Sequence, residues 1–304
     1  MIVQHAKQVD AQVMPLEHRY VLVTPARNES AFIRKTIESV TGQTILPREW
    51  VIVSDGSTDG TDEIVTTAAE EHPWIRLLRL PPRERPSFAA VVENTETGLR
   101  ALQEWDYAFI GLLDADVSFQ QDYFEQLLDR FQQDPELGLA GGVVIDVGVR
   151  SEFRRNEIDV AGAVQFFRRA CFESLGGLLA IPEGGWDAVT CVAARMNGYG
   201  TATIDELLVD HHKPRNCSHG GWIRRTWQLG QRDYVLGYDP LFEIVKCVRR
   251  ALDPPVAVGS LARWFGYCVS ALKRRSRRIP PPVVKQIRME QRQRLLRLVG
   301  LSRS

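Results

Sequence analysis

The chain has 304 residues, with 38 basic and 38 acidic side chains, so its formal net charge is zero. Hydrophobic residues make up 44% and charged residues 25%, ordinary values for a soluble globular protein with room for one large domain and an extension, or two small domains. Its five cysteines, Cys171, Cys191, Cys217, Cys247 and Cys268, are odd in number and lack a C-x-x-C pair. That spacing argues against a disulfide framework or a zinc site and fits a reducing compartment. The opening MIVQHAKQVDAQVM has no basic start followed by an apolar core, so no signal peptide is expected. The neutral total hides an asymmetry: 15 of the basic residues lie in 246–304, beside only two acids, Asp253 and Glu290. An acidic body with a basic tail implies an anionic partner for the tail: nucleic acid, a phospholipid surface or a lipid phosphate.

In chain order, YVLVT (Tyr20 to Thr24) and WVIVS (Trp50 to Ser54) read as strands, with helical spacing between them at Ile33, Ile37 and Val40. A helix is expected from Thr61 to Glu71, a third strand from Ile75 to Leu80, and a helix from Ala89 to Glu104. Phe109 to Leu113 then form a buried strand. Strands alternating with helices give βαβ units and a mainly parallel sheet, with ligands at the C-terminal ends of the strands. Two loops lie at those ends, TPARNES and SDGSTDGT, and neither is a dinucleotide or P-loop fingerprint. Gly56 and Gly60 allow a tight turn there, and Asp59 or Thr61 can cap the next helix. Asp55 is left over, and a carboxylate at a strand end commonly meets a ribose or base.

The strand AFIGLL runs into Asp114 and Asp116. Two carboxylates one residue apart in extended chain can face one object, and a divalent cation is such an object. The alternative is a helix cap near Gln121 with the second acid in a turn. Further strands are expected at Leu139 to Val147 and Val164 to Phe167, the latter two with a possible antiparallel sense. Gly184-Gly185 precede a helix from Asp187 to Asn197, with Gly198 as its C-terminal stop. Asp187 would sit in the first turn, where the helix dipole favours an acid. His211 and His212 follow, beside Lys213 and Arg215; one of the two could join the Asp pair on a metal, or both could be surface residues.

Taken together and in order, TPARNES, SDGSTDGT, DAD, GWDAVTCVAARMNGY and VDHHK resemble the motifs of the family 2 glycosyltransferases, the inverting sugar-nucleotide enzymes of the GT-A fold. The likeness covers roughly Arg19 to Arg215. It implies a Rossmann-like α/β fold, a mixed, mainly parallel sheet flanked by helices, occupying residues 19–215. Residues 1–18 form an N-terminal extension and residues 216–304 an aromatic and basic, mainly helical one. By the resemblance, Asp55 meets the uracil or ribose of the donor, with Pro25 and Glu29 in the loop around that nucleotide. Asp114 reaches the ribose or a metal-bound water, Asp116 chelates Mg²⁺ or Mn²⁺, His211 or His212 completes the metal site, and Asp187 is the catalytic base. The chemistry independently needs such groups, because a divalent cation neutralises the departing diphosphate and a base assists the attacking hydroxyl.

The departures have consequences. Ser54 stands where the second loop usually has an acid. RERPSFAAVVEN replaces a small basic, glycine-containing loop near the phosphates, with Arg83 or Arg85 as candidate substitutes. Trp186-Asp187 replaces Glu-Asp, so Glu183 is a rival base. QLGQRDY does not match the Q-x-x-R-W element of processive synthases, which implies transfer of a single sugar. In the tail, Trp222, Trp227, Tyr234 and Tyr238 lie among Arg224, Arg225 and Arg232; core packing is expected of each, the alternative being that they line a sugar site. Val256 to Leu272 is apolar but too short to span a bilayer, and KRRSRR, IPPP and a basic helix follow it. Residues 256–298 are therefore expected to touch an anionic membrane face, the alternative being a hairpin packed on the catalytic domain or another subunit. The expectation is a cytoplasmic, membrane-peripheral enzyme that uses a UDP-sugar and a lipid-linked glycan in polysaccharide, cell-wall or glycolipid synthesis. Two other classes stay open. A nucleotidyltransferase of related fold would carry a glycine-rich loop after the first strand, which TPARNES lacks; a non-catalytic nucleotide- or nucleic-acid-binding protein would use the tail, although no nucleic-acid module is present and no nucleic acid is expected.

Overall fold

A computed structural model describes residues 18–83, 88–148, 158–213, 221–252, 257–298 and 300. Arg85, Arg215, Cys217, the side chain of Trp222 and most of the N-terminal extension lie outside the described residues, as does the expected boundary at 215.

The first half alternates as expected: β1 (Tyr20–Ala26), α1 (Ile33–Thr41), β2 (Glu49–Asp55), α2 (Thr61–Glu71), β3 (Ile75–Leu80), α3 (Ala89–Ala101) and β4 (Phe109–Leu113). Strands β1, β2 and β4 are buried along almost their whole length, which is why they read as continuous apolar runs rather than alternating ones. α3 stops at Ala101, short of the expected Glu104, and Gln103 and Glu104 instead donate their backbone N–H groups to the buried Glu49 carboxylate at 2.7 Å. That carboxylate is also paired with Arg76, so the acid that starts β2 organises the turn before β4.

After β4 come β5 (Val117–Phe119), α4 (Tyr123–Gln133), β6 (Leu137–Asp146), β7 (Val164–Arg168), α5 (Arg169–Ser174), α6 (Trp186–Met196) and β8 (Gly200–His211). The eight strands form one sheet in the order β3-β2-β1-β4-β7-β6-β8-β5. β1, β2, β3 and β4 are mutually parallel where they pair; β7 is antiparallel to β4 and β6, and β5 is antiparallel to β8. The short β5 is an edge strand, and α1 covers its open side. Thr36 Oγ1 donates to Val117 O at 2.8 Å, and Ser39 Oγ donates to Phe119 O at 2.9 Å. Two hydroxyls thus replace the missing sheet neighbour.

The core lies on both faces of the sheet. Tyr20, Leu22, Trp50, Phe109, Phe124, Phe131 and Phe166 fill one side; Val21, Val23, Val51, Val53, Leu139 and Phe167 fill the other. Alternate residues of β1 therefore serve opposite cores, as the period of a strand requires.

The C-terminal extension is helical as expected: α7 (Gly221–Val235), α8 (Pro240–Arg249), α9 (Val258–Leu272) and α10 (Pro281–Leu298). α7 and α9 pack closely enough that Gly230 and Gly266 lie against the partner helix's backbone; a Cβ at Gly266 would stand 2.2 Å from Trp227 O. Tyr234 and Tyr238 join the core around Ile181, Val235 and Leu236, in line with the expected packing role. α10 is tied to α6 by Glu290, which receives Arg195 Nη2 at 2.7 Å. Arg263, which interrupts the apolar run of α9, is buried between Asp233 of α7 and Glu243 of α8, both of them 0% exposed.

Candidate active site

Strand ends converge on one place. β5 pairs Val117 with His211 of β8, and on the other side of β8 the parallel β6 pairs Asp146 with the same histidine. His211 is thereby bracketed: Nε2 lies 3.4 Å from Asp116 Oδ2, and Nδ1 lies 3.2 Å from Asp146 Oδ1. Asp116, Asp146 and His211 are all under 8% exposed. Asp114 joins them, and one ligand atom from each of Asp114, Asp116 and His211 lies within 4.8 Å of the others. Neither aspartate caps a helix, since Asp122 stands at the N-cap of α4. Two carboxylate oxygens and one imidazole suit a divalent Mg²⁺ or Mn²⁺ ion, and the Asp146 carboxylate behind the ring suits the outer-shell partner that orients a ligating histidine.

His212 goes elsewhere. Its ring is 2.8 Å from Ser118 Oγ, and its backbone N–H donates to Asp116 O at 2.8 Å, so it holds the DAD turn against β8 without entering the cluster. Burial, with Lys35 nearby, shifts its imidazole below the usual range.

The residues expected around the nucleotide lie at the C-terminal ends of β1 and β2. The carboxylate of Asp55, 2% exposed at the end of β2, is 3.1 Å from Arg83 Nε and 3.5 Å from Arg27 Nη1. Arg83 also donates to Asn94 Oδ1 at 2.8 Å, so the one described candidate of the RERPSFAAVVEN loop stands at Asp55. Gly56, at φ +62°, turns the chain beneath Pro82, whose Cα would be 2.4 Å from any added Cβ. The TPARNES and SDGSTDGT loops are stitched together. Asn28 Oδ1 accepts from Thr58 N at 2.9 Å, Glu29 N donates to Thr61 Oγ1 at 2.8 Å, and Ser30 N donates to Asp59 Oδ2 at 3.0 Å. Pro25 lies on β1 opposite Val53. Glu29 pairs with Lys213 through one oxygen, while its Oε2 is buried with no hydrogen-bond partner among the described residues. Burial pushes this carboxyl up against the pull of Lys213, and the nearby Asp116 adds to the rise.

A cavity of about 470 Å³ opens from the cluster. Asp114 and His211 line it, together with Glu183, Asp187 and, from α7, Arg225 and Arg232. Asp187 enters because α6 begins one residue earlier: Gly185, at φ +91°, makes the N-cap turn, and Gly162 N donates to Asp187 Oδ2 at 3.3 Å. Glu183 Oε2 is also buried without a hydrogen-bond partner among the described residues. A cleft that joins two acids to a candidate cation site can bind a phosphorylated sugar and take a proton from an attacking hydroxyl.

A family model for glycosyl transferase family 2 matches residues 21–182, more than half of the chain. The chain belongs to glycosyl transferase family 2. It is 25% identical over 246 residues to the poly-β-1,6-N-acetyl-D-glucosamine synthase of Staphylococcus aureus strain COL, covering 77% of this chain and 51% of that protein. It is 26% identical over 174 residues to the chondroitin synthase of Pasteurella multocida strain Pm70, covering 52% of this chain and 17% of that one. The chain thus spans about half the length, or less, of these curated relatives. Among solved structures, the mannosyltransferase PcManGT of Pyrobaculum calidifontis with GDP-Man and Mn²⁺ superposes with TM-score 0.56 at 20% identity, covering 91% of this chain and 80% of that one. Residues 1–349 of S. aureus TarS with UDP-GlcNAc superpose with TM-score 0.53 at 12% identity, covering 93% and 83%. These likenesses show the GT-A fold.

For this member of glycosyl transferase family 2, sequence reasoning missed two features of the candidate site. Asp146 ends an apolar run that reads as an ordinary strand, and only the β6–β8 register gives it meaning. The α7 arginines were read as neighbours of core aromatics; their spacing of seven, two helical turns, was the available signal that both face one way.

Proposed function

We propose that the chain is a metal-dependent inverting glycosyltransferase that moves one sugar from a nucleoside-diphosphate sugar to an acceptor hydroxyl. The observation that carries the reading is one cavity lined by Asp187 and by Asp114 and His211, which form a cluster with Asp116. Asp116 and His211 would hold Mg²⁺ or Mn²⁺, with Asp114 beside them turned to the ribose or a metal-bound water. When bound, the ion supplies positive charge against the diphosphate as it leaves. Asp55, with Pro25 and Glu29, would receive the nucleoside, and the unpartnered Glu29 oxygen suits a ribose or base donor group. Asp187 would accept the proton of the attacking hydroxyl, so that displacement on the face opposite the leaving group inverts the anomeric centre without an enzyme nucleophile. UDP is the favoured donor nucleotide, in keeping with the UDP-GlcNAc of the TarS complex; PcManGT, with GDP-Man, supports Mn²⁺ as the ion. The acceptor is a glycan, lipid-linked, in polysaccharide, cell-wall or glycolipid synthesis, and the enzyme works in the cytoplasm at the inner membrane face.

The test is thermal stabilisation of the purified protein by UDP, GDP, TDP and CMP, each with Mn²⁺, Mg²⁺ or EDTA, with Asp116→Ala alongside. A ligand held only by the folded state at a hundred times its Kd adds about 2.7 kcal/mol of stability, an easily read shift. One nucleoside diphosphate should stabilise the wild type with metal and fail with the variant; indifference to every nucleotide and metal would overturn the proposal. Asp187→Asn and Glu183→Gln then separate the rival bases. The true base should lose about 10²–10⁴-fold in transfer while still binding donor.

A further inference from the structure

α8 and α9 turn apolar faces outward. On α8, Leu241, Ile244 and Val248 recur at helical spacing and are exposed, Val248 at 67%. On α9, Val258, Leu261 and Phe265 repeat that spacing and are also exposed, Phe265 at 55%. The opposite sides are committed inward, with Glu243 and Cys247 of α8 and Arg263, Gly266 and Tyr267 of α9 buried. The two helices pack on each other, and each carries such an exposed apolar row. Leu252, after α8, and Leu272, at the end of α9, are each 82% exposed. Exposed apolar side chains grouped in this way mark an interaction site.

The charges around it indicate what it meets. α9 contains no acid, and the one acid of α8, Glu243, points inward to Arg263. α9 runs directly into 273–278, where Lys273, Arg274, Arg277 and Arg278 are exposed, and α8 ends at the exposed Arg249. Each apolar row therefore leads into exposed cations, and neither helix has an exposed carboxylate. A second copy of the chain would set these cations against their own equivalents, because a two-fold interface pairs a patch with itself. An anionic lipid surface offers acyl chains to the apolar side chains and phosphates to the cations. No helix among the described residues is long and apolar enough to cross a membrane, so the contact is one of helices lying on the surface.

We propose that the outward faces of α8 and α9, together with the basic segment 273–278, dock on an anionic phospholipid bilayer. The surface differs from the one expected on 256–298. α10 is committed in part to α6 through Glu290 and Arg195, whereas α8, outside that range, supplies half of the apolar contact. The proposal rests on the helix surfaces and not on the transferase reading.

The test is sedimentation of the full-length protein with vesicles of phosphatidylcholine alone or with about 30% phosphatidylglycerol, at low and high salt. The wild type should bind the anionic vesicles more than about 25-fold better and lose that preference with salt. Lys273→Gln with Arg278→Gln should weaken it about 25-fold, roughly fivefold per cation. Val248→Glu with Phe265→Glu should abolish it without moving the melting temperature. If that pair melts early, the exposed basic pair decides alone. Equal binding to both vesicle types, no binding, or unchanged binding of the basic pair would overturn the proposal. So would a dimer in light scattering that Val248→Glu with Phe265→Glu splits, which would assign the face to a second copy.

Discussion

Asp233→Asn is the substitution that most sharply tests how the C-terminal helices are held against the cavity. The Asp233 carboxylate is 0% exposed and has three cationic neighbours: Arg263, Lys246 Nζ at 2.9 Å and Arg232 Nη2 at 3.3 Å. Burial alone would raise its pKa, but Lys246, Arg263 and Arg232 hold it well below the usual carboxylate range. Asparagine keeps the shape and removes the charge, leaving three cations with only Glu243 between them. Breaking a buried ion pair on one side costs about 3–5 kcal/mol, since the partner charge is left uncompensated. With a urea slope of about 3 kcal/mol/M, the unfolding midpoint followed by tryptophan fluorescence should fall by about 1–1.7 M. Adding Lys246→Met removes one of the stranded cations and should recover part of the loss. A loss below about 1 kcal/mol, or no recovery, would refute the argument and mean that the cluster is effectively solvated. Arg232 and Asp233 are adjacent on α7, so the same change should also loosen the cavity wall that Arg232 forms.

Three further outcomes are expected. Gly266→Ala places a Cβ 2.2 Å from Trp227 O, a backbone atom with no room to yield, and should cost at least about 1–3 kcal/mol in the same urea assay. Asp146→Asn, behind His211, should weaken Mn²⁺ binding about 10–100-fold in calorimetric titration while leaving the fold intact. At Asp59, burial works to raise the carboxyl, but hydrogen bonds from Thr61 and Ser30 lower it to about 2. Because the folded value lies below the unfolded one, its contribution is full above about pH 4 and is lost as pH falls toward 2. Asp59→Asn should therefore flatten the wild type's acid-stability profile in that window, as read by melting temperature against pH.

Much of the fold was legible because its strands are buried on both faces and its helices carry a clear apolar period. Residues 61–71 and 109–113 form the expected helix and strand with the expected bounds, and α6 starts within one residue of its expectation. The order of the motifs also pointed to the family, and each motif lies at a strand end or helix start where local sequence fixes the turn. α8 was not legible, since PLFEIVKCVR gives a short helix whose buried side carries a glutamate that Arg263 of α9 and Lys246 make acceptable. Position 263 read as an interruption of an apolar segment, because the paired charges lie on two other helices.

The sequence by itself determined that Asp114 and Asp116 end a buried strand and that two histidines follow a later one. It could not choose between the histidines, because that choice depends on strand register. β8 presents alternate residues to opposite sides, and the pairing of Val117 with His211 puts His211 beside Asp116 while His212 turns to Ser118. The same register, carried across to β6, puts Asp146 behind the ring. A local stretch of chain can specify which residues are adjacent along a strand, but which strand lies next to it is set by the packing of the whole sheet.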